Sequence, residues 1–169
     1  MITTASGCKY LIFALGNEEF GLPIQRVKEI IGMLTITRVP KTLGFVKGVI
    51  NLRGKIIPVM DLRLKFGLDE KQYDERTCLI VVEIAGYSKL IALAVDSVSE
   101  VLSIQSAEIE APPDFASQGE SGFLRGMGKV KDRVLLLLDV DGVINNQDLV
   151  NLKKNIDIGG EIHVQQTEA

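Results

Sequence analysis

The chain has 169 residues, with 19 basic against 22 acidic side chains, a net charge of −3, 46% hydrophobic residues and no tryptophan. That length suits one or two small domains with an aliphatic core, and an acidic balance with scattered basic residues argues against a nucleic-acid binder. Cys8 and Cys78 are too few for a disulfide framework, no signal-peptide pattern opens the chain, and the unbroken apolar runs, such as Leu90 to Val95 and Val134 to Leu138, fall far short of the ~20 residues of a membrane helix; a reduced, cytoplasmic protein without direct membrane insertion is expected.

Taken in order, the chain opens with an apolar run, Tyr10 to Leu15, a glycine-containing turn, and a second run, Glu19 to Ile24. Short β-rich runs around such a turn predict a hairpin. Ile24, Val27, Ile30 and Ile31 then recur at three-to-four spacing, which predicts a helical turn or short helix with one apolar face. After a linker, Phe45-Val-Lys-Gly48 leads to a further hairpin, whose tip holds Asn51 and Arg53 before Gly54. Pro58 interrupts its second strand, so an edge or bulge position is expected.

Leu79 to Ile84 and Lys89 to Val95 form another pair of runs, followed by Val95, Val98, Val101 and Leu102 at the same helical spacing. Pro112-Pro113 and the polar stretch from Ser117 to Gly122 predict a flexible loop. Phe123-Leu-Arg-Gly126 and Arg133 to Val140 read as a last hairpin. From about Asn145 the pattern changes, with a short C-terminal helix expected from Asp148 to Lys154 and a disordered tail over 156–169.

This order is a duplication. Leu22, Val27 and Glu29 recur as Leu93, Val98 and Glu100; Phe45-x-x-Gly48 returns as Phe123-x-x-Gly126; and Lys55 to Leu62 returns as Arg133 to Val140. Two modules, about 9–65 and about 77–144, therefore make one domain over 1–155. No long helical pattern alternates with the strands, so small antiparallel barrels are expected rather than a parallel βαβ sheet.

Catalytic chemistry is sparse. Asp139-Val-Asp-Gly142 after an apolar strand resembles the first motif of haloacid-dehalogenase-type phosphatases, with Asp139 as nucleophile and Asp141 as proton carrier beside Mg²⁺. The repeat sets Asp139 opposite Asp61, in a module without that motif, which favours coincidence. The single histidine, His163, lies in the polar tail; two distant cysteines make no zinc site; and the glycines at 119, 122, 126 and 128 do not lead into a helix. No enzyme, cofactor or metal is expected. Val27 and Ile30, matched by Val98 and Val101, either pack in the core or line an apolar groove between two barrels, a standard recognition mode.

The stretch Leu15-Gly-Asn-Glu-Glu-Phe-Gly-Leu-Pro-Ile-Gln-Arg-Val-Lys-Glu-Ile30, with Phe45-Val-Lys-Gly-Val-Ile-Asn-Leu-Arg-Gly-Lys-Ile-Ile-Pro-Val-Met-Asp-Leu-Arg63 and Ala94-Val-Asp-Ser-Val-Ser-Glu-Val-Leu102, resembles the CheW family of bacterial chemotaxis coupling proteins. The resemblance runs from about Lys9 to Ile144. It implies an all-β fold of two intertwined five-stranded SH3-like barrels with short helical turns. It also implies a non-enzymatic adaptor between transmembrane chemoreceptors and the histidine kinase CheA, recruited to receptor arrays at the inner membrane. Matching positions give a groove for the receptor tip at Leu11, Ile24, Val27, Ile30 and Val98. They give a surface for CheA's regulatory domain at Gly48, Arg53, Gly54, Lys55 and Ile56.

The second module carries Lys129-Val-Lys-Asp132 where the first has Asn51-Leu-Arg-Gly54. A turn requirement alone would act on both copies, so the first tip is expected to serve a function. The resemblance places Glu29 near that tip, so a Glu29–Arg53 ion pair is expected. With Lys131 in place of arginine, the equivalent link to Glu100 is expected to be weaker or absent.

Overall fold

The structure is a computed structural model and describes residues 7–40, 44–84, 89–112 and 123–143. The C-terminal helix expected from Asp148 to Lys154, the loop from Ser117 to Gly122 and the tail lie outside the described residues. The first module contributes β1 (Cys8–Leu15), β2 (Glu18–Pro23), a 3-10 turn (Ile24–Arg26), β3 (Val27–Gly32), β4 (Val46–Leu52), β5 (Lys55–Asp61) and α1 (Leu62–Lys65). The second contributes β6 (Cys78–Ile84), β7 (Lys89–Val95), β8 (Ser97–Ile104), a 3-10 turn (Ser106–Glu108), β9 (Ile109–Glu110), β10 (Leu124–Val130), β11 (Arg133–Leu138) and α2 (Val140–Val143).

The modules exchange their first hairpins. One sheet runs β8-β1-β2-β11-β10-β9, so β1 and β2 complete the second module's strands. The other runs β3-β6-β7-β5-β4, so β6 and β7 complete the first's. Each inserted hairpin meets its host through a parallel pairing, β2 with β11 and β7 with β5.

Burial explains why these strands read as unbroken apolar runs. Leu11, Phe13 and Leu15 enter a central core with Leu22, Ile80, Val82, Leu93 and Val95, shared by the two sheets. Tyr10 and Ile12, on the other face of β1, join Ile104, Leu135 and Leu137 inside the six-stranded sheet. Leu79, Val81, Ala92 and Ala94 join Ile50, Leu52, Ile57 and Val59 inside the other. A strand buried on both faces loses the usual alternation of apolar and polar residues. Each buried Leu, Ile or Phe contributes ~1.5–3 kcal/mol, which makes these three clusters the main stabilising term.

Each sheet also curls over its own core. Ile31 on edge strand β3 packs on the same cluster as Ile50 and Leu52 on edge strand β4. In the other sheet a Cβ at Gly128 of β10 would sit 3.4 Å from Ile104 of edge strand β8.

Two expectations are corrected and one is narrowed. The sheet holding β1 has six strands rather than five, because β9 adds a two-residue edge. The helical turn expected over Ile24 to Ile31 is confined to a 3-10 turn at Ile24–Arg26, and β3 takes over from Val27. Pro58 lies on an inner strand, not an edge; it precedes the β5–β7 ladder, whose first pair is Val59 with Ala92.

Candidate partner-binding surfaces

The helical spacing of the rim residues has a different cause. In β3 the register slips between Val27 and Glu29, so Val27 stands opposite Val82 and Ile30 opposite Ile80. Val82 and Ile80 both face the central core. The extra residue returns Val27 and Ile30, three apart, to one face of the strand, as a β-bulge does. The same event occurs in β1–β8, where Phe13 faces Val98 and Leu11 faces Val101. Each edge strand thus carries two apolar side chains beside the central core, one half-buried (Val27, Val98) and one exposed (Ile30, 42%; Val101, 48%). Ile24 packs half-buried against the same core.

Leu11 is 1% exposed and central in that core. It supports the rim from beneath; a direct partner contact is closed to it because its side chain has no free surface.

At the β4–β5 tip, Leu52 pairs with Lys55 and leaves Arg53 and Gly54 as a two-residue turn. Both have positive φ, 51° and 89°, as the favoured I′ hairpin turn requires. Asn51 Oδ1 accepts a hydrogen bond from Gly54 N at 2.8 Å, which gives Asn51 a turn-forming role. Arg53 reaches back to β3, where Nη2 donates to Glu29 Oε1 at 2.5 Å and Nη1 to Oε2 at 3.0 Å. This hydrogen bonding holds the Glu29 carboxyl below its ordinary range and raises Arg53. Glu29 stands opposite Val81 on the inner face, so the pair joins edge strand β3 to the β4–β5 tip at the end of that sheet's core. Beside it Lys55 and Ile56 are exposed, Ile56 by 48%.

Gly48 differs from the rest of its group. It is buried, its φ is 141°, and a Cβ there would meet Thr37 O at 2.2 Å. The 36–37 segment bridges to Val49 through two hydrogen bonds of 2.8 Å and needs that space. Gly48 is therefore a close-packing glycine, not part of an exposed surface.

At the second tip a different residue, not Lys131, reaches Glu100. Arg133, at the place of Lys55, donates to both oxygens of Glu19 (3.0 and 2.8 Å) and lies 3.2 Å from Glu100. The hydrogen bond from Arg133 lowers Glu19. Sequence comparison missed it because the cation moved from the turn into the strand. The two aspartates of the Asp-Val-Asp-Gly motif are engaged locally: Asp139 Oδ1 accepts from Asp141 N at 3.1 Å, and both Asp141 oxygens accept from Arg26.

Two sheets with exchanged hairpins around a shared core define a duplicated, all-β domain. Residues 9–148 match the CheW-like domain, and the chain belongs to that family of chemotaxis coupling proteins. Chemotaxis protein CheW of Klebsiella aerogenes is 40% identical over 143 residues, covering 85% of each chain. Chemotaxis protein CheW of Rhizobium meliloti is 32% identical over 145 residues, covering 86% of this chain and 92% of that one. The crystal structure of the scaffolding protein TtCheW from Thermoanaerobacter tengcongensis superposes with a TM-score of 0.75 at 34% identity, covering 84% of this chain and 95% of that one. Family members of this kind are scaffolds or adaptors. Among the described residues, no helix is long and apolar enough to cross a membrane.

Proposed function

We propose that this chain is a non-catalytic adaptor that joins the cytoplasmic tips of transmembrane chemoreceptors to the regulatory domain of the histidine kinase CheA. It acts in the cytoplasm and is recruited to receptor arrays at the inner membrane. The observation that carries the reading is the paired apolar rim. Bulges in β3 and β8 bring Val27 with Ile30, and Val98 with Val101, beside the central core with part of each side chain exposed. An amphipathic receptor helix has an apolar face to bury against such residues. The kinase docks at the β4–β5 tip, where exposed Ile56 and Lys55 adjoin the braced Arg53.

The test titrates the protein with a receptor-tip fragment and, separately, with CheA's regulatory domain. Val27→Asp places a charge that must be desolvated on docking, at a cost on the order of several kcal/mol if unpaired. It weakens receptor binding while the circular-dichroism melt largely holds. Ile56→Asp weakens kinase binding more than receptor binding. A collapsed melt for Val27→Asp, or equal losses for both partners with either variant, sinks the assignment.

A further inference from the structure

Two arginine–aspartate pairs stand where the chain crosses between sheets. At the first crossing, between β2 and β3, Arg26 Nη1 donates to Asp141 Oδ2 at 3.1 Å and Nη2 to Asp141 Oδ1 at 2.8 Å. Nη2 also donates to the carbonyl of Glu83 at 2.8 Å. Asp141 lies on α2, which continues the six-stranded sheet, whereas Glu83 lies on β6 of the other. At the second crossing, between β7 and β8, Asp96 Oδ2 accepts from Arg63 Nη1 at 2.7 Å and from Gly16 N at 2.8 Å. Arg63 lies on α1, which continues the five-stranded sheet, and Gly16 lies in the β1–β2 turn of the other. Each clamp therefore holds both sheets through one side chain at a crossing.

The helix residues of the two clamps, Arg63 and Asp141, are counterparts in the repeat with opposite charge, and their partners Arg26 and Asp96 stand within one position of equivalence at the two crossings. The opposite pairing of helix and crossing would set Arg63 against Arg26 and Asp141 against Asp96, like charge against like, which disfavours it. The central core between the sheets is aliphatic and aromatic, and such packing is non-directional. A bidentate arginine–carboxylate pair is directional. Each crossing also leads directly into a rim strand: Arg26 lies between Ile24 and Val27, and Asp96 is two residues before Val98.

We propose that Arg26 and Asp96 are positioning residues that set the spacing of the two apolar rims, and so the affinity for the receptor helix, without touching it. This rests on the receptor-docking reading above. The test uses the full chain, with binding of the receptor-tip fragment and of CheA's regulatory domain measured by calorimetry. Arg26→Ala and Asp141→Asn each weaken receptor binding about tenfold, within the range by which residues remote from a ligand modulate it. Kinase binding changes less than about twofold, because the β4–β5 tip is held by its own ion pair. The exchange Arg26→Asp with Asp141→Arg restores most of the receptor affinity, which loss of bulk or of general stability does not predict. Lys71→Ala, which breaks the exposed Lys71–Asp74 pair, serves as the control and alters neither affinity. Unchanged receptor binding in Asp141→Asn, no recovery in the exchange, or equal loss for both partners overturns the proposal. Val27→Asp runs alongside. If it impairs receptor binding and Arg26→Ala does not, only the positioning role falls; if Val27→Asp leaves receptor binding intact, the docking reading falls and this inference with it.

Discussion

The two modules share one plan but differ at every polar junction. At the start of the last hairpin, Gly48 and Gly126 occupy equivalent bulges. Gly48 has φ 141° and lies against the backbone of Thr37, whereas a Cβ at Gly126 would meet the Ile109 side chain at 2.9 Å and Glu110 O at 3.0 Å. At the end of that hairpin, Asp61 is buried, capping Leu64 N and accepting from the Tyr73 hydroxyl at 2.7 Å. Its counterpart Asp139 is exposed and makes a local cap on Asp141 N. At the tip, the first module braces its turn with Arg53 on one carboxylate, and the second braces its strand with Arg133 on two. Duplication thus preserves the backbone events and lets the side chains that satisfy them diverge.

The glycines give the sharpest test. Gly48→Ala combines a backbone clash with a left-handed φ and costs about 3 kcal/mol. Gly126→Ala needs a smaller shift at the two-residue strand β9 and costs about 1–2 kcal/mol. Chemical denaturation midpoints measure both. Equal losses mean that the first module's linker is no more tightly packed than β9.

The aspartates come next. Asp61→Ala removes a helix cap and strands the Tyr73 hydroxyl, at about 2 kcal/mol, while Asp139→Ala loses only an exposed cap, at about 1 kcal/mol. A matching loss at both positions in thermal melts contradicts the assigned difference in burial.

What was legible in the sequence follows the same division. Apolar runs and the repeat mark the hairpins, because strands buried on both faces leave continuous aliphatic stretches such as Tyr10 to Leu15. Spacing misled at Ile24 to Ile31, because a bulge after a 3-10 turn returns Val27 and Ile30 to one face and imitates a helical period. Ion pairs between distant segments leave no local trace. Arg26 and Asp141 are 115 positions apart, and Arg133 and Glu19 are 114 apart. Gly48 and Leu11 matched family positions, but only the packing separates a supporting residue from an exposed one.

The smallest effect on stability belongs to the tips, and there the comparison bears most on function. Glu19 and Glu29 both have folded-state pKa values below the ordinary carboxylate value, each held down first by an arginine hydrogen bond. Their contribution is present above the unfolded value and is lost as pH falls through the depressed folded one. Both pairs are exposed enough for water and salt to screen them, so Arg53→Ala and Arg133→Ala barely move the melting temperature at neutral pH. Each variant also loses less stability than the parent when the melt is repeated in acid, since its carboxylate no longer has a partner to lose. Their consequences for signalling differ. Arg53 fixes a two-residue turn beside Ile56, the surface proposed for CheA, so Arg53→Ala lowers kinase activation in a reconstituted receptor–CheA assembly. Arg133 braces the other sheet, and its loss has a smaller effect there. The exchange Glu29→Arg with Arg53→Glu restores the cross-strand pair in reverse and recovers part of the activity that either single change removes. If the exchange recovers none of it while each protein melts like the parent, the brace is not what matters, and Arg53 instead acts through its own contact with the kinase.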